Sequence, residues 1–266
     1  MKGRVLIVAG SDSGGGAGIQ ADIKAVTAMG GFAATAITAL TAQNTMGVHG
    51  VVPVDPAFIA QQIEVVLTDI GADALKTGML HSAEVIATVA ASLKKHAAGV
   101  PLVVDPVMVA TKGAHRLLRS DAEAAMRDVL LPMSTLLTPN LPEAEVLAGF
   151  PVRDEAAMRR AGEKLLSLGA KAVLMKGGHL EGDRVVDLLV HDGRVERFED
   201  ARIPSRSTHG TGCTLASATA AGLAQKMSLH DAVARARAYV RKAIETAPGL
   251  GRGLGPLNHA VTVKPD

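Results

Sequence analysis

The chain has 266 residues, of which 48% are hydrophobic and only 2% aromatic, and its formal net charge is +2. This composition suits an aliphatic core in one large α/β domain or two small ones. The scarcity of aromatic side chains and the lack of a long basic run argue against nucleic-acid binding, which uses stacking platforms and basic patches.

The first apolar run, Val5 to Ala9, is too short for a signal peptide or a membrane span and predicts a buried strand. No other stretch approaches the length of a transmembrane helix. The single cysteine, Cys213, excludes an internal disulfide and a cysteine-cluster metal site, and it fits a reducing compartment. We therefore expect a cytoplasmic protein without a membrane segment.

Short apolar runs typical of buried strands alternate with stretches of helical period along most of the chain. The predicted strands are 5–9, 32–40, 74–77, 102–105, 135–138 and 172–175. The predicted helices are 17–29, 56–69, 82–96, 121–131, 143–148, 154–168, 211–224 and 228–247. This alternation predicts an α/β fold with a mostly parallel sheet, helices on both faces and right-handed crossovers.

The pattern changes at Asp183. Arg184 to His191 and Arg194 to Phe198 are separated by Asp192-Gly193, which is a strong hairpin signal and predicts a short antiparallel edge. No linker, repeat or shift in composition divides the chain, so we expect one domain over residues 1–266.

A glycine-rich turn precedes the predicted helix 211–224. Gly210 and Gly212 flank Thr211, and glycine lets the backbone take positive φ and approach a ligand closely. The first helical turn has free backbone N–H groups that suit a phosphate. At this position we expect Cys213 to have a lowered pKa and to act as a base or nucleophile. The alternative is an ordinary turn in which Cys213 is a small buried hydrophobic residue.

The first strand leads into a loop with five glycines between Gly10 and Gly18. A dinucleotide fingerprint would need glycine where Ile19 stands, and a P-loop would need a Gly-Lys-Ser/Thr ending. We expect close backbone access to a small ligand, with Asp22 nearby, or else a plain tight turn.

Two later strand ends carry side chains suited to a flat ring. Gln43 offers an amide donor and an acceptor to the edge of a heterocycle, although polar residues are also common in turns. Met79 is suited either to forming the wall of a ring site or to core packing.

Charged side chains follow the remaining strands. Asp105 and Glu143 are candidate Mg²⁺ partners, directly or through water, because Mg²⁺ takes oxygen ligands and keeps several waters. The spacing of Asn140 and Glu143 equally allows a helix cap. Lys176, before two glycines, offers a cation to a phosphate. The nine histidines show no zinc-type spacing.

Six blocks, spanning nearly the whole chain in the family's order, resemble the hydroxymethylpyrimidine/phosphomethylpyrimidine kinases of thiamine biosynthesis. They are AGSDSGGGAGIQAD at 9–22, TAQNT at 41–45, VDPVM at 104–108, TPNLPE at 138–143, KGGH at 176–179 and THGTGCT at 208–214. The resemblance implies a ribokinase-like fold and two ATP-dependent steps in one site. These steps convert 4-amino-5-hydroxymethyl-2-methylpyrimidine to its monophosphate and then to its pyrophosphate. It also implies Mg²⁺ as cofactor and a homodimer.

Matching motifs assign site residues in three groups. Around the pyrimidine ring they place Gly10, Asp22, Gln43, Met79 and Val107, with Gln43 on the aminopyrimidine edge. In the anion hole they place Gly210, Thr211, Gly212 and Cys213, with Cys213 where many ribokinase-like enzymes have an aspartate base. They place Asn140, Lys176 and Thr208 at the ATP phosphates and Asp105 and Glu143 at Mg²⁺. Residues 110–113 and 205–208 depart from the family's pattern, which puts only local contacts in doubt.

Two other functions stay open at this stage. Pyridoxal kinases of the same fold share the anion hole and similar metal motifs, although Gln43 and Met79 favour the pyrimidine. A non-catalytic nucleotide or pyrimidine sensor would bind without turnover. The set Asp105, Glu143, Lys176 and Cys213 argues against it.

Overall fold

A nine-stranded sheet runs through the described residues, 1–108 and 120–263 of a computed structural model. Its strands are β1 (Arg4–Asp12), β2 (Phe32–Asn44), β3 (Gly47–Pro53), β4 (Ala74–Thr77), β5 (Leu102–Val104), β6 (Leu136–Leu137), β7 (Ala172–Lys176), β8 (Arg184–His191) and β9 (Arg194–Ala201). The order across the sheet is β3-β2-β1-β4-β5-β6-β7-β8-β9. The strands from β2 to β7 in this order are parallel, whereas β3 pairs antiparallel with β2 and β8 with both β7 and β9.

Helices cover both faces of the sheet. They are α1 (Gly18–Ala28), α2 (Pro56–Asp69), α3 (Ala83–His96), α4 (Ser120–Ala125), α5 (Leu141–Ala148), α6 (Glu155–Ser167), α7 (Thr211–Ala224) and α8 (Leu229–Glu245). Strand β1 places Leu6 and Val8 in the core with α2 to α6, and Val5 and Ile7 in the core with α1, α7 and α8. This two-sided burial explains the continuous apolar runs and confirms the predicted α/β architecture.

Strand β3 was not predicted. Gly47, Gly50 and Pro53 weaken its sequence signal, because glycine and proline are depleted in strands. It forms by antiparallel pairing with β2, in which Leu40 lies opposite Val52. The sheet therefore has antiparallel strands at both edges rather than at one.

The predicted helix 121–131 is wrong in its second half. Helix α4 ends at Ala125, and a π-helical segment (Met126–Leu130) and a 3-10 turn (Leu131–Met133) follow. Pro132, which has no backbone N–H to donate, helps to end the helical run. The departure noted at residues 110–113 lies outside the described residues.

Helix N-termini differ in how they are capped. The side chains of Asp55, Ser82, Asp154 and Ser228 accept backbone N–H groups at the starts of α2, α3, α6 and α8. Gly210 precedes α7 with φ of 80° and no side-chain cap. Thr211 N–H donates to the Thr208 carbonyl at 3.4 Å, whereas the N–H groups of Gly212 and Cys213, next in the described first turn of α7, stay available to a ligand.

The described part of the chain has no helix with both the length and the apolar character needed to cross a membrane.

Candidate active site

A cavity of about 1010 Å³ lies at the carboxyl ends of the parallel strands, where ligands bind in doubly wound sheets. All but one of the residues assigned from sequence line it, namely Gly10, Gln43, Met79, Asp105, Val107, Asn140, Glu143, Lys176, Thr208, Gly210, Thr211, Gly212 and Cys213. The structure thus brings together residues that the topology carries from seven loops or strand ends. Their individual roles stay predictions.

The glycine turn before α7 has the geometry of an anion site. Among the described residues, no acceptor pairs with the backbone N–H groups of Gly212 and Cys213. A Cβ added to Gly212 would lie 3.1 Å from Lys176 Nζ, so this ammonium group is adjacent to the helix N-terminus. Free N–H groups, the positive end of the helix dipole and a lysine together favour bound phosphate.

The expected thiolate at Cys213 is wrong for the free protein. The side chain is half-buried, and desolvation raises the pKa of its thiol to about 12, which nearby Lys76 only partly offsets. Placement at a helix N-terminus does not outweigh the loss of water around the charge. The thiol is therefore protonated near neutral pH.

Asp22 does not reach the cavity, which corrects its predicted place against the ring. It is 0% exposed, and its two carboxylate oxygens accept from Lys76 Nζ at 2.9 and 2.8 Å. Ser217 Oγ donates to the same carboxylate at 2.7 Å. Asp22 instead lies beneath the site, where it anchors Lys76, whose side chain is also fully buried and borders the cavity from below.

Lys76 is a residue that sequence reasoning missed. Although burial opposes its charge, the carboxylates of Asp22 and Asp105 keep the pKa of Lys76 above its usual value. A lysine in the middle of an apolar strand was the available signal, because a lysine is almost never fully buried without a partner.

Asp105 and Lys176 form an ion pair in the cavity wall. Lys176 Nζ donates to Asp105 Oδ1 at 2.9 Å, and Thr138 Oγ1 donates to the same oxygen at 3.1 Å. Although burial opposes it, the charges of Asp105 and Glu143 raise the pKa of Lys176.

Glu143 both caps the start of helix α5 and lines the cavity. It completes a capping box with Asn140, whose backbone N–H donates to Glu143 Oε2 at 2.8 Å, while Asn140 Oδ1 accepts the Glu143 N–H at 2.9 Å. Burial and the negative charge of Asp105 raise its pKa to about 7. The capping alternative is thus realised, and the side chain still lines the cavity.

The two carboxylates fit a Mg²⁺ ion that keeps several waters. The negative charge of Asp105 disfavours ionisation of Glu143, and a dication would relieve this repulsion. Within residues 1–108 and 120–263, no group of three or more His, Cys, Asp or Glu side chains could enclose a metal. Any metal here would therefore need oxygens from water and ligand.

The opposite part of the cavity is apolar and lies beside the glycine loop. Met79 packs with Ala39, Val48 and Val107. A Cβ on Gly10 would lie 3.2 Å from Met79 Sδ, so glycine allows the methionine to approach the β1 backbone. Met79 therefore has both of the functions considered from sequence, core packing and lining the cavity.

The cavity extends further along β8, β9 and α8 than sequence reasoning anticipated. This extension is lined by Val185, Asp187, Asp200, Ala201, Arg202, Ile203, Arg237, Val240, Arg241 and Ile244. Arg237 pairs with Asp187 and Asp200, and Asp187 accepts the Gly177 N–H at 2.8 Å. These residues have no local motif, because three separate elements contribute them.

A family model described as phosphomethylpyrimidine kinase matches residues 12–258 of the chain. The chain belongs to this family. The resemblance drawn from its six motifs is therefore confirmed, and so is the prediction of a kinase.

Relatives in the phosphomethylpyrimidine kinase family align along nearly the whole chain. The thiamine biosynthesis bifunctional protein ThiED of Geobacter sulfurreducens is 51% identical over 99% of this chain, which spans 53%, about half, of that relative's length. The hydroxymethylpyrimidine/phosphomethylpyrimidine kinase of Rhizobium meliloti is 47% identical, with 96% of each chain covered.

Solved structures confirm the ribokinase-like fold expected of a phosphomethylpyrimidine kinase. The ADP complex of Bacillus subtilis pyridoxal kinase matches with a TM-score of 0.89 at 34% identity, with 98% of each chain covered. The phosphomethylpyrimidine kinase of Clostridium difficile matches with a TM-score of 0.81 at 42% identity, covering 91% of this chain and 100% of that one.

Proposed function

We propose that this family member transfers a phosphoryl group from ATP to the hydroxymethyl group of 4-amino-5-hydroxymethyl-2-methylpyrimidine, and then a second one to the resulting monophosphate. The observation that carries this proposal is the uncapped N-terminus of α7, which places free N–H groups beside Lys176 in a cavity that also contains Gln43. The names of the relatives support the choice of acceptor.

The pyrimidine ring would occupy the apolar part of the cavity. Met79 and Val107 would contact its faces, Gly10 would let it approach the β1 backbone, and Gln43 would bind its aminopyrimidine edge. Asp22 would act on this site from beneath, chiefly through its ion pair with Lys76.

The phosphates would lie at the α7 turn. Phosphoryl transfer asks the protein mainly for positioning and charge stabilisation. The N–H groups from Gly210 to Cys213 would stabilise negative charge on the transferred group. Lys176, Thr208 and Asn140 would bind the ATP phosphates from the neighbouring loops.

Asp105 and Glu143 are the residues that would hold Mg²⁺, through one or both carboxylates and water. When bound, this ion neutralises phosphate charge and orients the phosphate oxygens. Lys176, already paired with Asp105 at 2.9 Å, would contact the same phosphates from the protein side.

We assign Cys213 as the group that faces the substrate alcohol in the first step. The alcohol must lose a proton, whereas the acceptor of the second step is an ionised phosphate. We expect Cys213→Ala to slow the first step more than the second. If the thiolate is the base, the first-step rate should rise about tenfold per pH unit below the thiol pKa of about 12. Equal loss in both steps, measured separately, would leave Cys213 a positional role only.

ADP release with Mg-ATP and either the hydroxymethylpyrimidine or pyridoxal tests the function, with products resolved by mass. Monophosphate followed by pyrophosphate is the expected result. Turnover of pyridoxal alone would favour the second candidate, pyridoxal kinase, for which the fold match to the Bacillus subtilis enzyme is the specific observation. ATP binding without turnover of either acceptor would favour a sensor.

The domain organisation, the oligomeric state and the location of the protein are also proposals. We infer one kinase domain over residues 1–266, a homodimer and a cytoplasmic location. The continuous sheet of the described residues supports the single domain.

A further inference from the structure

Three backbone N–H groups of the glycine loop converge on the buried carboxylate of Asp12. Gly14 donates to Oδ1 at 2.8 Å, and Gly16 and Ala17 donate to Oδ2 at 3.1 and 2.8 Å. His209 Nε2 lies 2.9 Å from Oδ2 as a fourth partner. Although burial opposes it, His209 and the backbone N–H groups lower the pKa of Asp12. An ionised carboxylate only accepts hydrogen bonds, so His209 Nε2 carries a hydrogen.

This hydrogen determines the orientation of the Gln43 amide. One terminal atom of the amide lies 3.1 Å from His209 Nε2, and the other lies 3.2 Å from Thr41 Oγ1. Because Nε2 carries a hydrogen and no free lone pair, an amide nitrogen beside it would place two donors against each other. A carbonyl oxygen in that position instead accepts a share of the hydrogen that Nε2 also donates to Asp12. The NH₂ group then faces Thr41 Oγ1, whose own hydrogen goes to the Ser11 carbonyl at 2.9 Å. In this orientation neither contact of the amide places two donors or two acceptors against each other.

The ring of His209 is held in place by its surroundings. A Cβ on Gly16 would lie 2.5 Å from His209 Cδ2, so the ring packs directly on the glycine loop. The His209 backbone N–H donates to the Gly255 carbonyl at 3.1 Å, and the next residue, Gly210, starts the anion-binding turn. The contact between His209 and Gln43 therefore joins the phosphate end of the cavity to its ring end.

We propose that His209 is a positioning residue that holds the Gln43 amide with its oxygen toward His209, and so sets the donor–acceptor order that the site accepts on a substrate ring. The inference rests on the proposed function, in which Gln43 binds the aminopyrimidine edge. That edge presents a donor, the 4-amino group, beside an acceptor, N3. A 4-oxo analogue presents the opposite order and requires the amide to flip, which brings its NH₂ against the hydrogen on His209.

Kinetics with Mg-ATP and two acceptors, the 4-amino pyrimidine and its 4-oxo analogue, test this assignment. His209→Phe keeps a ring without a donor, and His209→Gln keeps an N–H donor. We expect His209→Phe to reduce the preference in kcat/KM for the amino acceptor by about tenfold or more, because the amide can then flip without a clash. His209→Gln should retain most of the preference. Equal loss for both acceptors in His209→Phe would overturn the assignment and leave a structural role.

Side-chain ¹⁵N NMR of the wild-type protein tests the amide orientation without turnover. The Gln43 NH₂ signals, assigned by their loss in Gln43→Glu, should show contacts to Thr41 and none to the His209 ring. Contacts to the ring would overturn the inference. If neither pyrimidine is phosphorylated, the proposed function fails, and this measurement still decides the assignment of His209.

Discussion

At the scale of single residues, the buried ion pair between Lys76 and Asp22 should have a large effect on stability. Both side chains are 0% exposed, and the pair lies beneath the thiol of Cys213, whose pKa Lys76 lowers in part. Removing one member of a buried pair leaves the other charge without compensation, which costs far more than the net stabilisation from the pair.

Lys76→Met should therefore destabilise the protein by about 3–5 kcal/mol, measured by urea unfolding. The double variant Lys76→Met with Asp22→Leu removes both charges and should recover much of this loss. A single variant as stable as wild type would contradict the buried charge pair.

The pKa of Glu143 predicts how Mg²⁺ dependence varies with pH. The carboxyl group has a pKa of about 7, so it is protonated below that pH and ionised above it. Mg²⁺ prefers the ionised form. The apparent affinity for Mg²⁺, measured from activity, should therefore fall as the pH drops below about 7, by up to about tenfold per pH unit.

Glu143→Gln is the matched control, because glutamine also serves at this position of a capping box. The variant should bind Mg²⁺ more weakly and lack the part of the pH dependence that Glu143 contributes. The part that comes from ionisation of the ATP phosphates should remain. An unchanged profile would show that Glu143 does not titrate in this range.

At the scale of elements, helix α7 and the glycine loop interlock. Gly210 has a φ of +80°, and a Cβ there would lie 1.9 Å from the Gly16 carbonyl oxygen. The turn can accommodate only glycine, both for its left-handed backbone and for this contact.

Gly210→Ala should lower both the melting temperature and kcat/KM, because the left-handed backbone alone costs about 1–2 kcal/mol and the contact forces the two loops apart. Gly50→Ala is the control, since its φ is not in the left-handed region and its nearest contact would be 3.8 Å away. Thermal unfolding and steady-state kinetics of both variants test this prediction. Similarly small changes in melting temperature and kcat/KM in the two variants would contradict the interlock.

At the scale of the whole molecule, one sheet separates two apolar cores, and the loops at the carboxyl ends of its parallel strands form the site. Residues on or after β1, β2, β4, β5, β6 and β7 meet there with the start of α7, so the site forms only when these strands are aligned. Single-domain behaviour and a homodimer are both measurable consequences of the proposed organisation.

Unfolding should proceed in one cooperative transition. The single tyrosine, Tyr239 on α8, and the single cysteine, Cys213 on α7, are local probes. Tyrosine fluorescence, thiol labelling and far-UV circular dichroism should give coincident midpoints. Light scattering should give twice the 27.3 kDa chain mass, and the midpoint should rise with protein concentration. Separate midpoints would contradict one domain, and the mass of one chain would contradict the dimer.

Local signals explain how much could be predicted. Strands β4 and β8 and helices α2 and α7 have the predicted bounds, since apolar period, caps and turn residues lie within neighbouring positions. Strand β3 could not be predicted, because its stability comes from pairing with β2 and not from its own residues.

The sequence by itself determined the α/β order, the glycine turn before α7 and the family, because each is read from short runs of neighbouring residues and their order along the chain. Only the tertiary structure decided that Asp22 anchors Lys76 from 54 positions away and that His209 contacts Asp12 from 197 positions away. It likewise decided that Cys213 holds its proton. Burial and long-range pairing determine these properties, and both depend on how the whole chain packs.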